Sequence, residues 1–220
     1  MVDQILAPAT AKPIARPGLL IAADIGEKAF VLGLFALLTM RVLQSIGSGG
    51  TWLNLLQLSA EGLAVALILL RKPATELSLK PLDWALAIGA TAAPLLVRPA
   101  AHVAALAPVG VCAGLMLTGL VFQVISKLTL RLSFGMAPAN RGLKVSGPYR
   151  IVRHPIYASY LVGQVGFFLL NPTGWNAAIY AAGLTLQIFR IAAEERLLSH
   201  DAGFAAFRAQ TRYRLIPGLY

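Results

Sequence analysis

Six stretches of this chain are predominantly apolar: residues 30–46, 52–70, 82–97, 102–126, 156–170 and 175–193. A helix that crosses a bilayer needs about twenty such residues, so the third and fifth are short. Either flanking turns extend them or one is re-entrant, which would leave five spans. The pattern predicts an all-α integral membrane protein with about six transmembrane helices. Residues 1–26 form a tail rich in Pro and Ala, and residues 27–126 hold four of the helices. Residues 127–220 hold a long loop, a helical hairpin and a basic tail. In the loop, Gly135, Pro138, Gly142, Gly147 and Pro148 argue against one continuous helix. In the tail, Leu197, Leu198, Phe204, Phe207 and Tyr213 alternate with basic residues, as in a helix lying at the membrane interface. Small residues at helical spacing, Gly62/Ala66, Gly110/Gly114 and Ser159/Gly163, fit close helix contacts.

Composition agrees: 57% of residues are hydrophobic, 13% are charged, and the mean hydropathy is +0.70, far from a soluble globular chain. The net charge of +10 does not point to nucleic acid, because the basic residues lie between the apolar runs. With both termini cytoplasmic, all of the 19 Lys and Arg residues except Arg41 and Arg98 fall on the inner face, as the positive-inside rule requires. Residues 44–51 and 171–174, on the outer face, carry no charge. The N-terminal stretch lacks an early apolar core, so the first span is expected to act as the insertion signal. Cys112 stands alone within an apolar run and forms no intrachain disulfide.

Two polar clusters interrupt this scheme. In Arg153-His154-Pro155, proline suits the first position of a helix, which sets His154 at the cap of the fifth span and Arg153 just outside. The free N–H groups of that turn, beside a guanidinium, would suit a carboxylate or phosphate. Equally, Arg153 can be a positive-inside charge and His154 only a cap. In the second cluster Arg190 and Glu194 share a helix face, with Glu195 rotated by about 100°. Adjacent carboxylates at a helix C-terminus run against the macrodipole. They read either as a surface ion pair plus a solvated acid or as a carboxylate presented to a ligand. The short link 171–174 makes the last two spans antiparallel, so His154 and Glu194 return to one membrane face. That convergence favours a site.

Elsewhere, Glu61 is an intramembrane carboxylate and hence a functional candidate, although a hydrogen bond to a neighbouring helix accounts for it equally well. Gln123 either faces the site or links helices. Asp83 and Trp84 read as interface anchors. His102 and His200 are isolated, and no Cys/His spacing suggests a metal. Gly47-Ser-Gly-Gly50 resembles part of a nucleotide loop but follows no strand.

From Arg131 to Tyr220 the chain resembles the isoprenylcysteine carboxyl methyltransferases and the related phospholipid methyltransferases. The shared motifs are Leu143-Lys-Val-Ser-Gly-Pro-Tyr149, Arg153-His-Pro-Ile-Tyr157, Asn171-Pro172, Arg190-Ile-Ala-Ala-Glu-Glu195 and Leu215-Ile-Pro217. Residues before 127 match only as generic spans. The resemblance implies methyl transfer from S-adenosylmethionine, yielding S-adenosylhomocysteine. It places the cofactor in a cytoplasm-facing pocket made by the C-terminal hairpin and its loops. Carried over, Tyr149, Arg153, His154, Pro155, Tyr157, Glu194 and Glu195 would hold the cofactor. Arg190, with Glu194, would act at the methyl acceptor. The chain departs from many isoprenylcysteine enzymes where they carry a histidine two residues before the loop leucine; here it has Arg141. Arg141, Gln123 and Glu61 are therefore the candidates for contact with the acceptor.

The leading expectation is a membrane methyltransferase acting on a lipophilic or lipid carboxylate, amine or thiol. High alanine content points to a bacterial inner membrane. Its partners would be membrane lipids and not nucleic acid, and the sequence is silent on oligomeric state. The alternatives are an NADPH-dependent reductase of the sterol-reductase type and a non-enzymatic membrane binding protein.

Overall fold

The computed structural model describes residues 17–47, 52–74, 76–100 and 102–220. Among these the chain is all-α apart from one short strand pair. In order, the helices are α1 (Pro17–Gly47), α2 (Trp52–Leu70), α3 (Pro81–Ala92), α4 (Val109–Leu130), α5 (Pro155–Leu170), α6 (Gly174–Leu198) and α7 (Ala202–Gln210). A 3-10 turn, Ala93–Leu96, prolongs α3. Strands β1 (Glu76–Leu77) and β2 (Ala139–Asn140) pair antiparallel and tie the α2–α3 connection to the long loop.

Helix bounds differ from the hydropathy pattern in α1, in α4 and in α6, which runs past residue 193 to Leu198. α1 starts at Pro17, not near residue 30, because its polar residues have partners: Arg71 donates to Asp24 and Glu27, and Lys28 pairs with Asp24 at 2.7 Å. α4 starts after Pro108, and residues 102–108 stay outside it. It then continues past residue 126, since Lys127 is fully buried and paired within the fold. α7 turns Phe204 and Phe207 inward against Tyr149. The apolar face expected to lie on a membrane is thus buried by protein.

The main partner of α5 is α4, and that of α6 is α3. Glycines make the α4–α5 approach possible. A Cβ on Gly119 would stand 2.7 Å from the Gly163 nitrogen and 2.8 Å from the Ser159 carbonyl; one on Gly166 would stand 2.7 Å from the Cys112 carbonyl. The Ser159/Gly163 pair is therefore a helix contact, whereas Gly110 and Gly114 face open space. Gly119→Ala is expected to lower unfolding stability in detergent by about 1–3 kcal/mol, because backbone must move. Gly114→Ala, measured beside it, is expected to have no destabilising effect.

The exterior is apolar where the interior is polar. Leu32, Leu37 and Met40 on α1, and Leu117, Val121 and Ile125 on α4, are exposed, while Glu27, Gln123, Ser126 and Asn176 are buried. Among the described residues, Val109–Ser133 is long and apolar enough to cross a membrane, and Leu58–Leu70, Pro81–Leu96 and Pro155–Leu170 are shorter apolar helices.

Candidate functional site

Pro155 opens α5 as its spacing predicts, with His154 at the N-cap position. The segment after α7 closes this end. The Arg153 N–H donates to the Tyr213 carbonyl at 2.8 Å, and the His154 N–H to the Arg214 carbonyl at 2.9 Å. The Arg153 guanidinium is equally engaged. Its Nε donates to Glu195 Oε1 at 2.8 Å, and its Nη1 to the carbonyls of Thr211 at 2.9 Å and Arg212 at 2.6 Å. The Arg153 guanidinium and the backbone N–H groups of Arg153 and His154 are thus all engaged within the protein.

Glu195 is the centre of that closure. Oε1 also lies 3.2 Å from His154 Nε2, and Oε2 accepts from Arg214 Nε at 3.0 Å and Nη2 at 2.9 Å. Burial alone would raise its carboxyl pKa. Hydrogen bonds from His154, Arg214 and Arg153 outweigh that and hold it well below the usual carboxylate range. Neither Glu195 nor Pro155 lines the cavity described below. Both stand in the frame that closes this end of the site.

Glu194, one residue earlier, faces the other way. The Tyr157 hydroxyl donates to its Oε1, His154 Nδ1 lies 3.6 Å from Oε2, and Arg190 Nε lies 3.2 Å from Oε1. That last approach lacks hydrogen-bond alignment, so Nε remains without a hydrogen-bond partner. Arg190 is instead oriented by Nη2, which donates to the Met136 carbonyl at 2.5 Å, and by the Tyr157 ring, 4.9 Å from its Cζ. The His154 and Tyr157 rings stack with centroids 5.6 Å apart.

These groups open on a cavity of about 550 Å³. Tyr149, Arg153, His154, Tyr157, Arg190 and Glu194 form its polar end, with Arg141 beside them. Burial and the nearby Glu194 charge push the Tyr149 phenol upward, which keeps it a neutral donor. Away from that end the walls are apolar: Leu34 and Phe35 of α1, Val65 and Ile68 of α2, and Met116 and Leu120 of α4. All of the first six helices contribute, so the C-terminal hairpin supplies one wall of the cavity and not the whole.

Glu61 and Gln123 lie on the same wall. Glu61 accepts from Gln123 Nε2 at 2.8 Å and from Lys127 Nζ at 3.3 Å. Glu61 is therefore part of an interhelical ion pair as well as a cavity residue. Asp83 is buried and not an interface anchor; it holds Arg196 at 2.8 and 2.7 Å. Asn171 braces the far end, where its Oδ1 accepts from the Ala100 N–H at 2.9 Å.

Sequence reading missed Arg214, Lys127, Glu27 and Met136. Arg214 could have been found from its place directly before the Leu215-Ile-Pro217 motif. Glu27 is a lone acid at the edge of an apolar run. Nothing in the sequence marks the Met136 carbonyl.

Residues 106–200 match the model of the isoprenylcysteine carboxyl methyltransferase (ICMT) family. The segment contains α4, the long loop, α5 and α6, and so most of the polar end of the cavity. A search of curated proteins returns no match. The family is one of membrane-associated methyltransferases, and the match supports the resemblance that the motifs carry.

Proposed function

We propose that this chain is an integral-membrane methyltransferase that uses S-adenosylmethionine and acts on a lipophilic acceptor. The observation that supports this most strongly is a cavity with a charged, aromatic end and long apolar walls. Its volume lies in the ordinary range for small-molecule sites, about 300–1,000 Å³. A charged nucleoside donor fits one end, and an apolar chain fits the other. The residues present suit that donor: Glu194 and Tyr157 offer partners to hydroxyl or ammonium groups. Bound there, S-adenosylmethionine would supply a sulfonium-activated methyl group, the S–C bond breaking with its electrons returning to sulfur as the acceptor's lone pair forms the new bond.

The chain's own part is positioning and exclusion of water. Arg190, fixed by Met136 and Tyr157, orients the acceptor beside Glu194. If the acceptor is an amine or thiol, Glu194 is placed to take its proton; a carboxylate needs no base. Gln123 and Glu61 meet the acceptor deeper in the cavity. The exposed apolar faces of α1 and α4 support a bilayer as solvent. The basic-residue distribution supports six spans with both ends, and the polar end of the cavity, on the cytoplasmic side.

Titration of the purified protein in detergent tests the reading. Binding of S-adenosylmethionine and S-adenosylhomocysteine at micromolar concentration, with none of NADPH, is expected; selective binding of NADPH would overturn it. Orientation has its own check. Val145 is exposed on the long loop and Cys112 is fully buried, so Val145→Cys should react with an impermeant maleimide only from the cytoplasmic face. Reaction only from outside would reverse the topology.

A further inference from the structure

Arg141 lies at the end of β2, and its side chain is 3% exposed on the wall of the cavity. Among the described residues its guanidinium donates no hydrogen bond, and its Nε is buried without a partner. The nearest carboxylate oxygen, Glu27 Oε2, is 4.0 Å from Nη2, beyond hydrogen-bond reach. Glu27 does not come closer because its other oxygen is held on two sides. Arg71 Nη1 and the Met136 N–H, at 2.6 Å, both donate to Oε1. Glu27 Oε2 has no hydrogen-bond partner of its own.

Leaving a buried guanidinium without a hydrogen bond, its nearest carboxylate only at 4.0 Å, is costly. Burial and repulsion from Arg71 push the Arg141 guanidinium down to about 10. The local balance is one positive charge in surplus, since Arg71, Arg141 and Lys28 face only Asp24 and Glu27. The other two arginines on this wall are oriented by protein groups, Arg153 by Glu195 and two carbonyls, Arg190 by Met136 and Tyr157. A cavity ligand that carries a monoanion therefore finds its unmatched donor edge at Arg141. A planar, two-oxygen acceptor matches that edge best.

We propose that Arg141 is the carboxylate-binding residue of this cavity, taking the carboxylate of a bound molecule on its free guanidinium edge. The assignment of ligands rests on the methyl-transfer reading. Under it the carboxylate belongs either to the amino-acid portion of the donor or to an acidic lipophilic acceptor.

Calorimetry on the full chain in detergent separates these. If the donor supplies the carboxylate, Arg141→Gln should weaken S-adenosylmethionine by at least about tenfold and leave decarboxylated S-adenosylmethionine unchanged. If the acceptor supplies it, Arg141→Gln should leave both cofactors unchanged and abolish the preference of the cavity for hexadecanoate over hexadecanol. A folded Arg141→Gln protein that alters neither comparison would overturn the proposal. Should that variant not fold, the wild-type comparisons decide: no preference for the carboxylate-bearing member of either pair also overturns it. Failure of the wild type to bind S-adenosylmethionine at all would instead sink the methyl-transfer reading, and the hexadecanoate arm would still test Arg141.

Discussion

Glu195→Gln is expected to destabilise the protein by about 3 kcal/mol or more, the larger of the two stability effects at the paired glutamates. The glutamine would keep the shape of the side chain and lose its charge, leaving the buried Arg153 guanidinium uncompensated. It would also loosen Arg214 and His154, because all three converge on one carboxylate. Arg214→Gln should cost less, since Arg214 is one-third exposed and water replaces what it loses. The sign with pH follows from the depressed carboxyl pKa of Glu195. Its stabilisation is complete above the ordinary carboxylate value of 4.5 and is lost as pH falls through the lower folded-state value. Denaturant unfolding in detergent across the acid range checks both points. A Glu195→Gln protein as stable as the parent, with the same acid limb, would remove Glu195 from the frame of the site.

The two glutamates therefore divide their work by helix geometry alone. A rotation of about 100° per residue turns Glu195 to the segment 211–214 and Glu194 to the cavity. The same division runs through the motif before α5: Arg153 closes the frame, while His154 touches both acids. Methyl transfer to an apolar acceptor asks for this arrangement, because a charged cofactor end must be fixed without a metal or a covalent link. Under the proposed methyl transfer, rigid closure by Arg153, Glu195 and Arg214 would supply that fixation.

Much of this was legible where the cause is local. The start of α5 follows from Pro155, the shared face of Arg190 and Glu194 from four-residue spacing, and the return of His154 to Glu194 from the short 171–174 link. What was hidden is non-local. Arg71 and Lys127 satisfied the charge rule as loop residues, and that sufficient explanation concealed their buried pairs with Glu27 and Glu61. Phe204 and Phe207 alternate with basic residues as an interfacial helix would, and only the position of Tyr149 shows that they turn inward. Glu27 reaches the site through the backbone of Met136, whose carbonyl then orients Arg190. No side-chain pattern encodes such a bridge.

Glu194→Gln should leave the protein folded and remove its activity. The expected loss is about a hundredfold in transfer rate, with a parallel weakening of S-adenosylhomocysteine and S-adenosylmethionine. Glu194 is the acid at the polar end of the cavity, and the reading assigns that end to a cationic donor. A glutamine still accepts from the Tyr157 hydroxyl, so the hydrogen-bond geometry persists while the negative charge goes. Arg190 loses an ion pair but keeps Met136 and the Tyr157 ring, which limits the stability cost to about 1 kcal/mol. The contrast with the neighbouring position is what makes the test sharp: identical chemistry one residue apart should cost function at 194 and folding at 195. Tyr157→Phe gives the control, since it keeps the Glu194 charge and removes one donor; its effect on cofactor affinity should be the smaller. Parent-like affinity and turnover in Glu194→Gln would show that the cavity does not use this carboxylate, and the assignment of its polar end to the methyl donor would fall with it.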